Sequence, residues 1–294
     1  MIRTGTSRQF FLPMTRFSTV AVLALLGLLC ALPSSTASET SNPDASLVSA
    51  VCPIVYPDDQ SPAARGYHYT FFGNAFFIND QGYLLTVAHV LETFRDGGQP
   101  YILIERPNSP PRLLKVAIIA SDAEHDVAIL RATPNPFAAK NKVSTLPLSS
   151  EAPVRGESVL ALSLHPARIQ DAHSFEAPRE DFSPGQILSF ETTQLEKSAP
   201  ASDVFLLSHP VVRGQSGSPV IATDSHAVVG LVEGRWLRSS SASLSVQATS
   251  AAGQPNGVPG AAIPIRHAIE LLNQHNISWQ RPSAPQASQS APLP

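Results

Sequence analysis

Three short stretches of this chain carry side chains that together could transfer an acyl group. Residues 211–220 read Val-Val-Arg-Gly-Gln-Ser-Gly-Ser-Pro-Val. A serine set between glycines sits on a tight turn, where backbone N–H groups can point into a common anion-binding hollow. Ser216 is therefore the candidate nucleophile. A serine hydroxyl is unreactive at its own pKa, so it needs a base, a group that orients the base, and donors for the oxyanion. Residues 84–90, Leu-Leu-Thr-Val-Ala-His-Val, offer His89 as the base. Residues 125–130, His-Asp-Val-Ala-Ile-Leu, offer Asp126 as the orienting carboxylate. Asp122 and Glu124 compete for that role, but they read as turn residues, whereas Asp126 opens an apolar strand.

Such side chains need a rigid frame. The first half of the chain alternates apolar runs with turn residues, at 69–78, 83–87, 101–104, 113–120 and 127–132. Asp80-Gln81-Gly82 reads as a hairpin turn, since Gly82 tolerates positive φ. Ala88 to Phe94 can form a short helical turn carrying His89. The second half repeats the rhythm at 158–164, 186–190, 204–208, 219–222, 228–233 and 261–265, and residues 266–275 follow with helical periodicity. Many short strands at this spacing predict antiparallel barrels or sandwiches, an all-β fold, and not a parallel βαβ sheet. The polar stretches 165–185 and 238–260 read as long loops. Residues 39–66 read as an N-terminal lead-in, flexible over 39–50, and 279–294 as a tail whose Pro/Ala/Ser/Gln-rich end cannot bury a core.

Thr86-Val87-Ala88-His89, Asp126-Val127-Ala128-Ile129-Leu130 and the Gly-x-Ser-Gly-x-Pro run from Gly214 to Pro219 resemble the trypsin-like, chymotrypsin-fold serine proteases. The similarity extends to residues 73–83 before the histidine and to Val228-Val229-Gly230 after the serine, and is nearest to the bacterial Deg/HtrA-type protease domain. It runs from about residue 69 to 276. It implies two antiparallel six-stranded β-barrels with a C-terminal helix, spanning residues 67–278. It also implies a His89-Asp126-Ser216 triad, with the backbone N–H groups of Gly214 and Ser216 as the oxyanion hole. The chain departs from the usual Deg/HtrA layout in leaving no room for a PDZ domain. That branch often trimerises through N-terminal segments, which makes residues 41–67 the candidate oligomerisation stretch.

The resemblance also bears on activation and specificity. Trypsin-like proteases made as zymogens carry Asp before the serine, to pair with a newly cut N-terminal ammonium. Gln215 has no charge for such a pair, so activity is expected without trimming beyond signal removal. Ser-Gly-Ser-Pro, with Ser218 in place of a second glycine, resembles bacterial glutamyl endopeptidases. Those enzymes place a histidine where Val232 stands, which argues against glutamate preference. Pro210, six residues before Ser216, falls where trypsin has its basic-substrate-binding Asp. Leu231-Val232-Glu233-Gly234 is the expected strand and pocket wall for substrate, with Arg213 and Glu233 at the rim of an apolar pocket.

Composition narrows the remaining classes. With 43% apolar residues the chain can bury a full core, and a net charge of −3 argues against a nucleic-acid surface. Residues 1–38 read as an export signal: Arg3, Arg8 and Arg16 precede an apolar stretch at 20–32, too short for a comfortable membrane span, and cleavage is placed near Ala37 or Ser38. No stable membrane insertion is expected after cleavage. Cys30 follows Leu29, where a lipoprotein signal wants a small residue. Its removal would leave Cys52 alone, without an internal disulfide, as in a bacterial exported enzyme. The histidines other than His89 form no close His-x-x-x-His or Cys-x-x-Cys pairing, so neither metal nor cofactor is expected. An α/β-hydrolase esterase needs Gly-x-Ser-x-Gly and the order Ser, Asp, His, and Ser218 breaks that pattern. The remaining rival is a triad-bearing scaffold that binds peptides with little turnover.

Overall fold

The computed structural model describes residues 43–57, 69–106, 109–138, 143–166, 179–195, 200–236 and 258–282. The signal stretch, the core of the 238–260 loop and the end of the tail lie outside these residues. The chain opens with helix α1 (Pro43–Ala50). Six strands follow: β1 (Val51–Pro57), β2 (Tyr69–Phe77), β3 (Tyr83–Thr86), β4 (Tyr101–Arg106), β5 (Ser109–Asp122) and β6 (Val127–Thr133). They close into an antiparallel barrel in the order β1-β2-β3-β6-β5-β4. A second set comprises β7 (Ser158–His165), β8 (Arg179–Thr193), β9 (Ser202–Leu207), β10 (Pro219–Ala222), β11 (Val228–Arg235) and β12 (Gly260–Pro264). It closes in the order β10-β11-β12-β9-β8-β7, and helix α2 (Ile265–Gln274) is the last helix or strand among the described residues. This is the expected two-barrel, all-β architecture.

Two strands carry runs buried on both faces. Gly73–Phe77 in β2 and Val127–Leu130 in β6 lie in the interior without alternation. Continuous runs of this kind mark strands covered on both sides. The β3–β6 register pairs Leu84 with Leu130, Leu85 with Ile129 and Thr86 with Ala128. The end of β3, which leads into His89, is thereby set beside the start of β6, which Asp126 precedes.

Asn74 joins the barrels. It is fully buried. Its Nδ2 donates to the Gly214 carbonyl at 2.9 Å, and its Oδ1 accepts the Leu164 N–H of β7 at 3.0 Å. Its own N–H donates to the Ser216 carbonyl at 2.8 Å, and its carbonyl accepts the Thr86 hydroxyl at 2.7 Å. Helix α2 adds a second tie. Its His267 Nε2 lies 2.7 Å from Asp203 Oδ1 of β9, and Arg266 pairs with the same carboxylate. The His267 ring stacks on His125 of the first barrel at 4.0 Å between centroids, and His125 Nδ1 lies 2.7 Å from Asp122 Oδ2.

Two readings are corrected. Residues 39–66 are not wholly a lead-in, since residues 43–50 form α1 and residues 51–57 are a barrel strand pairing with β2 and β4. Pro53 inside the apolar run hid that strand, because proline cannot donate to a ladder. Nor is 165–185 all loop: β8 begins at Arg179 and pairs along β7 up to His165. Its 179–186 arm alternates only between half-buried and exposed residues, so it lacks the apolar face by which strands are recognised.

Replacing Asn74 with Ala should leave the Gly214 carbonyl and the Leu164 N–H buried without partners, at a cost of about 2–4 kcal/mol. Urea unfolding of the two proteins would measure it. For Asp203, burial raises the pKa, but the bonds from His267 and the charges of Arg266 and His267 outweigh it and hold the carboxyl below its usual range. The stability it supplies is present above the unfolded carboxylate pKa of about 3.9 and fades as pH falls through the lower folded value. Asp203→Asn should lower Tm at neutral pH by about 2–4 °C. It should also flatten the loss of stability on acidification, as read by thermal melts across pH.

Candidate active site

His89 rides on a short 3-10 helix over Ala88–Phe94, anchored by buried Ala88, Val90, Leu91 and Phe94. That anchoring leaves the imidazole at the surface of the cleft, with its side chain 36% exposed. Asp126 is held by the turn before it. Asp122 Oδ1 accepts the N–H groups of Glu124 at 2.9 Å and of His125 at 3.2 Å, which makes Asp122 the builder of the turn rather than a partner of His89. Asp126 itself has φ of 54°, in the left-handed region that Asp tolerates better than most residues. From there its Oδ2 meets His89 Nδ1 at 2.7 Å, and its Oδ1 accepts the His89 N–H at 2.8 Å. Its main-chain carbonyl also accepts the Ala88 N–H at 3.1 Å. A carboxylate accepts, so Nδ1 carries the proton and Nε2 is left to receive one.

The Ser216 turn is built on two glycines. Gly214 has φ of 96°, and a Cβ there would lie 2.5 Å from Phe71 Cε1. Gly217 has φ of 79°, and a Cβ would lie 2.1 Å from the Asn74 carbonyl oxygen. The Gly217 N–H donates to the Val232 carbonyl at 2.8 Å, which lashes the turn to β11. Among the described residues neither the Gly214 nor the Ser216 N–H has an acceptor. Gln215 faces inward. Its Oε1 accepts the Val212 N–H at 2.8 Å and its Nε2 donates to Asp181 Oδ2 at 3.0 Å, pinning the loop to β8. Asp181 carries no sequence signal for this role, because the pairing exists only through the barrel.

The Ser216 hydroxyl donates to the Glu233 carbonyl at 3.1 Å. Glu233 also brings its carboxylate to the His89–Asp126 pair: a His89 ring nitrogen, an Asp126 oxygen and a Glu233 oxygen all lie within 4.8 Å of one another. These donors could in principle hold a metal ion, a set that no spacing in the sequence announces. Both Asp126 oxygens are already committed to His89, so the cluster reads as an acid–base group. Burial pulls the His89 pKa down, but the hydrogen bond and charge of Asp126, helped by Glu233 and Glu92, hold it above its ordinary value. Burial and the Asp126 charge push the Glu233 carboxyl up, and His89 only partly offsets them.

The pocket residues divide. Leu231 and Val232 are fully buried in the core, so that strand meets the cleft through Glu233 and Gly234 rather than through an apolar wall at Leu231 and Val232. Pro210 and Arg213 are exposed on the loop before Ser216. The arrangement as a whole can deprotonate a hydroxyl with a carboxylate-oriented imidazole beside a turn of unengaged N–H groups.

No curated protein matches the chain by sequence. Among solved structures, the Rv3671c protease from M. tuberculosis, in its active form, is 16% identical over 97% of both chains, with a TM-score of 0.53. The HtrA-type protease AlgW with a tripeptide is 19% identical over 77% of this chain and 60% of that one, with a TM-score of 0.51. The decapeptide form of AlgW is 18% identical over 79% and 66%, with a TM-score of 0.52. The chain thus spans about 60% of the length of the first of these AlgW chains, and shares its fold. The trypsin-like peptidase domain family matches residues 73–231, more than half of the chain, and this protein belongs to that family.

Proposed function

We propose that the protein is an exported serine endopeptidase that cleaves unfolded or extended protein chains through an acyl-enzyme. The observation that carries the reading is the double grip of Asp126 on His89, with the Ser216 turn held on the same cleft. In this reading the Ser216 hydroxyl swings to His89 Nε2 and attacks a substrate carbonyl. His89 takes the hydroxyl proton and returns it to the leaving amine, and water then releases the acyl group. The Gly214 and Ser216 N–H groups receive the developing oxyanion, where one donor is worth roughly 10²–10³ in rate. Gly234 and the Glu233 main chain supply a strand end for substrate. Exposed Pro210 and Arg213 border the approach.

A latent, peptide-binding scaffold is the second reading. It draws on the Ser216 hydroxyl being turned to the Glu233 carbonyl rather than to His89. A fluorophosphonate probe separates the two. The signal-free protein should gain one adduct on Ser216, read by intact mass, and lose it in Ser216→Ala and His89→Ala. A folded protein that binds peptide but takes no adduct would favour the scaffold. Asp126→Asn should keep the fold and cut turnover by about 10⁴, because the ring then settles in the wrong tautomer.

Export and assembly belong to the same proposal. Expressed in a bacterial host, the protein should lose about its first 38 residues, as expected of a cleaved signal, and appear outside the cytoplasm. N-terminal sequencing of the extracytoplasmic fraction checks this. A trimer would show in sedimentation, and a monomer alone would remove it.

A further inference from the structure

Glu233 has more to do than line a pocket rim. It sits where the β11–β12 register slips, between Val232 paired with Ala262 and Gly234 paired with Ala261. A bulge of this kind bends the strand and re-aims one side chain, often beside an active site. Here it turns the main-chain carbonyl onto the Ser216 hydroxyl at 3.1 Å and the carboxylate into the cluster with His89 and Asp126. Among the described residues, the charges that act on that carboxylate are those of Asp126 and His89, with no lysine or arginine among them. His89 in turn faces Asp126 from the turn before β6, Glu233 from β11 and Glu92 from its own 3-10 helix.

We propose that Glu233 is a positioning residue that sets the pH at which the site becomes reactive: its carboxylate shares the His89 imidazole with Asp126 and favours the imidazolium, while its carbonyl holds the Ser216 hydroxyl aside. The inference rests on the protease reading above. One imidazolium between the buried Asp126 and half-buried Glu233 carboxylates leaves a single net negative charge. Loss of that proton leaves two anions facing each other with no cation between them, which the low-dielectric site resists. An imidazolium has no lone pair for the serine proton, so reactivity waits until the pH passes the point where the His89–Glu233 pair releases a proton. The midpoint belongs to the pair and not to His89 alone. Asp126 orients the ring, and Glu233 adds charge without adding a hydrogen bond. Its removal therefore moves the pH profile more than it moves the geometry.

Two measurements test this, one of which needs no turnover. Fluorophosphonate labelling of Ser216 is followed by intact mass from about pH 5 to 10, across the range where imidazoles titrate, in the parent and in Glu233→Gln. The acid limb of the parent should have its midpoint about one pH unit above that of Glu233→Gln. Separately, the His89 ring is titrated by NMR in Ser216→Ala with and without Glu233→Gln. The double variant should titrate about one unit lower. Glu233→Ser serves if the glutamine variant does not fold. An unchanged His89 midpoint overturns the proposal even if Ser216 labels normally. A lowered midpoint in a protein that never labels sustains the coupling of Glu233 to His89 and overturns the protease reading instead.

Discussion

With no solvent around it, the Asn74 amide has to find every partner inside the protein, and it finds them where the two barrels meet. One side of the amide holds the carbonyl of Gly214 and the other the N–H of Leu164. The backbone of the same residue holds Ser216 and the Thr86 hydroxyl. An unmet buried amide is costly, so the barrels close in the one arrangement that satisfies all four groups. That arrangement presses the Ser216 turn of the second barrel against β2 of the first. Gly73 shows how close the approach is, since a Cβ there would lie 2.6 Å from the Ser216 carbonyl oxygen.

Three of the eight positive-φ residues among those described fall at the same place. Asp126, Gly214 and Gly217 all have positive φ, and each belongs to the residues that would do the chemistry or shape the turn that does it. Such conformations persist where the surroundings over-determine them. Around Asp126 the surroundings are the Asp122 turn on one side and three hydrogen bonds to the start of the 3-10 helix on the other. Around the serine turn they are Asn74, Val232 and Gln215. Neither the histidine nor the serine is held by its own segment alone.

Charge is distributed unevenly over the junction. On the cleft side three ionisable groups crowd together, the His89 imidazole and the carboxylates of Asp126 and Glu233. On the side of α2, Asp203 meets a histidine and an arginine, while the His267 ring lies flat on His125. His125 directly precedes Asp126, so the ring stack that ties the helix to the first barrel also steadies the turn that presents the orienting carboxylate. The fold and the site therefore share one set of contacts.

Much of this was legible from residue order. The strands from β2 to β7 and β9 to β12 show as apolar runs between turn residues, and α2 shows by its helical face. The two glycines around Ser216 announce a turn with positive φ because other residues pay a steric cost there. β1 hid behind Pro53, and the arm of β8 hid because both its faces are wet. The partners of the site were beyond local pattern altogether. Nothing near Glu233 in the chain reveals that a bulge aims it at His89, and nothing near Gln215 points to Asp181. Residue types and short-range conformation thus followed from the sequence by itself, since sterics and periodicity act over a few residues. The distances between Asp126, His89, Ser216 and Glu233 were decided only by the closure and docking of two barrels. They depend on strand register and on buried hydrogen bonds between segments far apart in the chain.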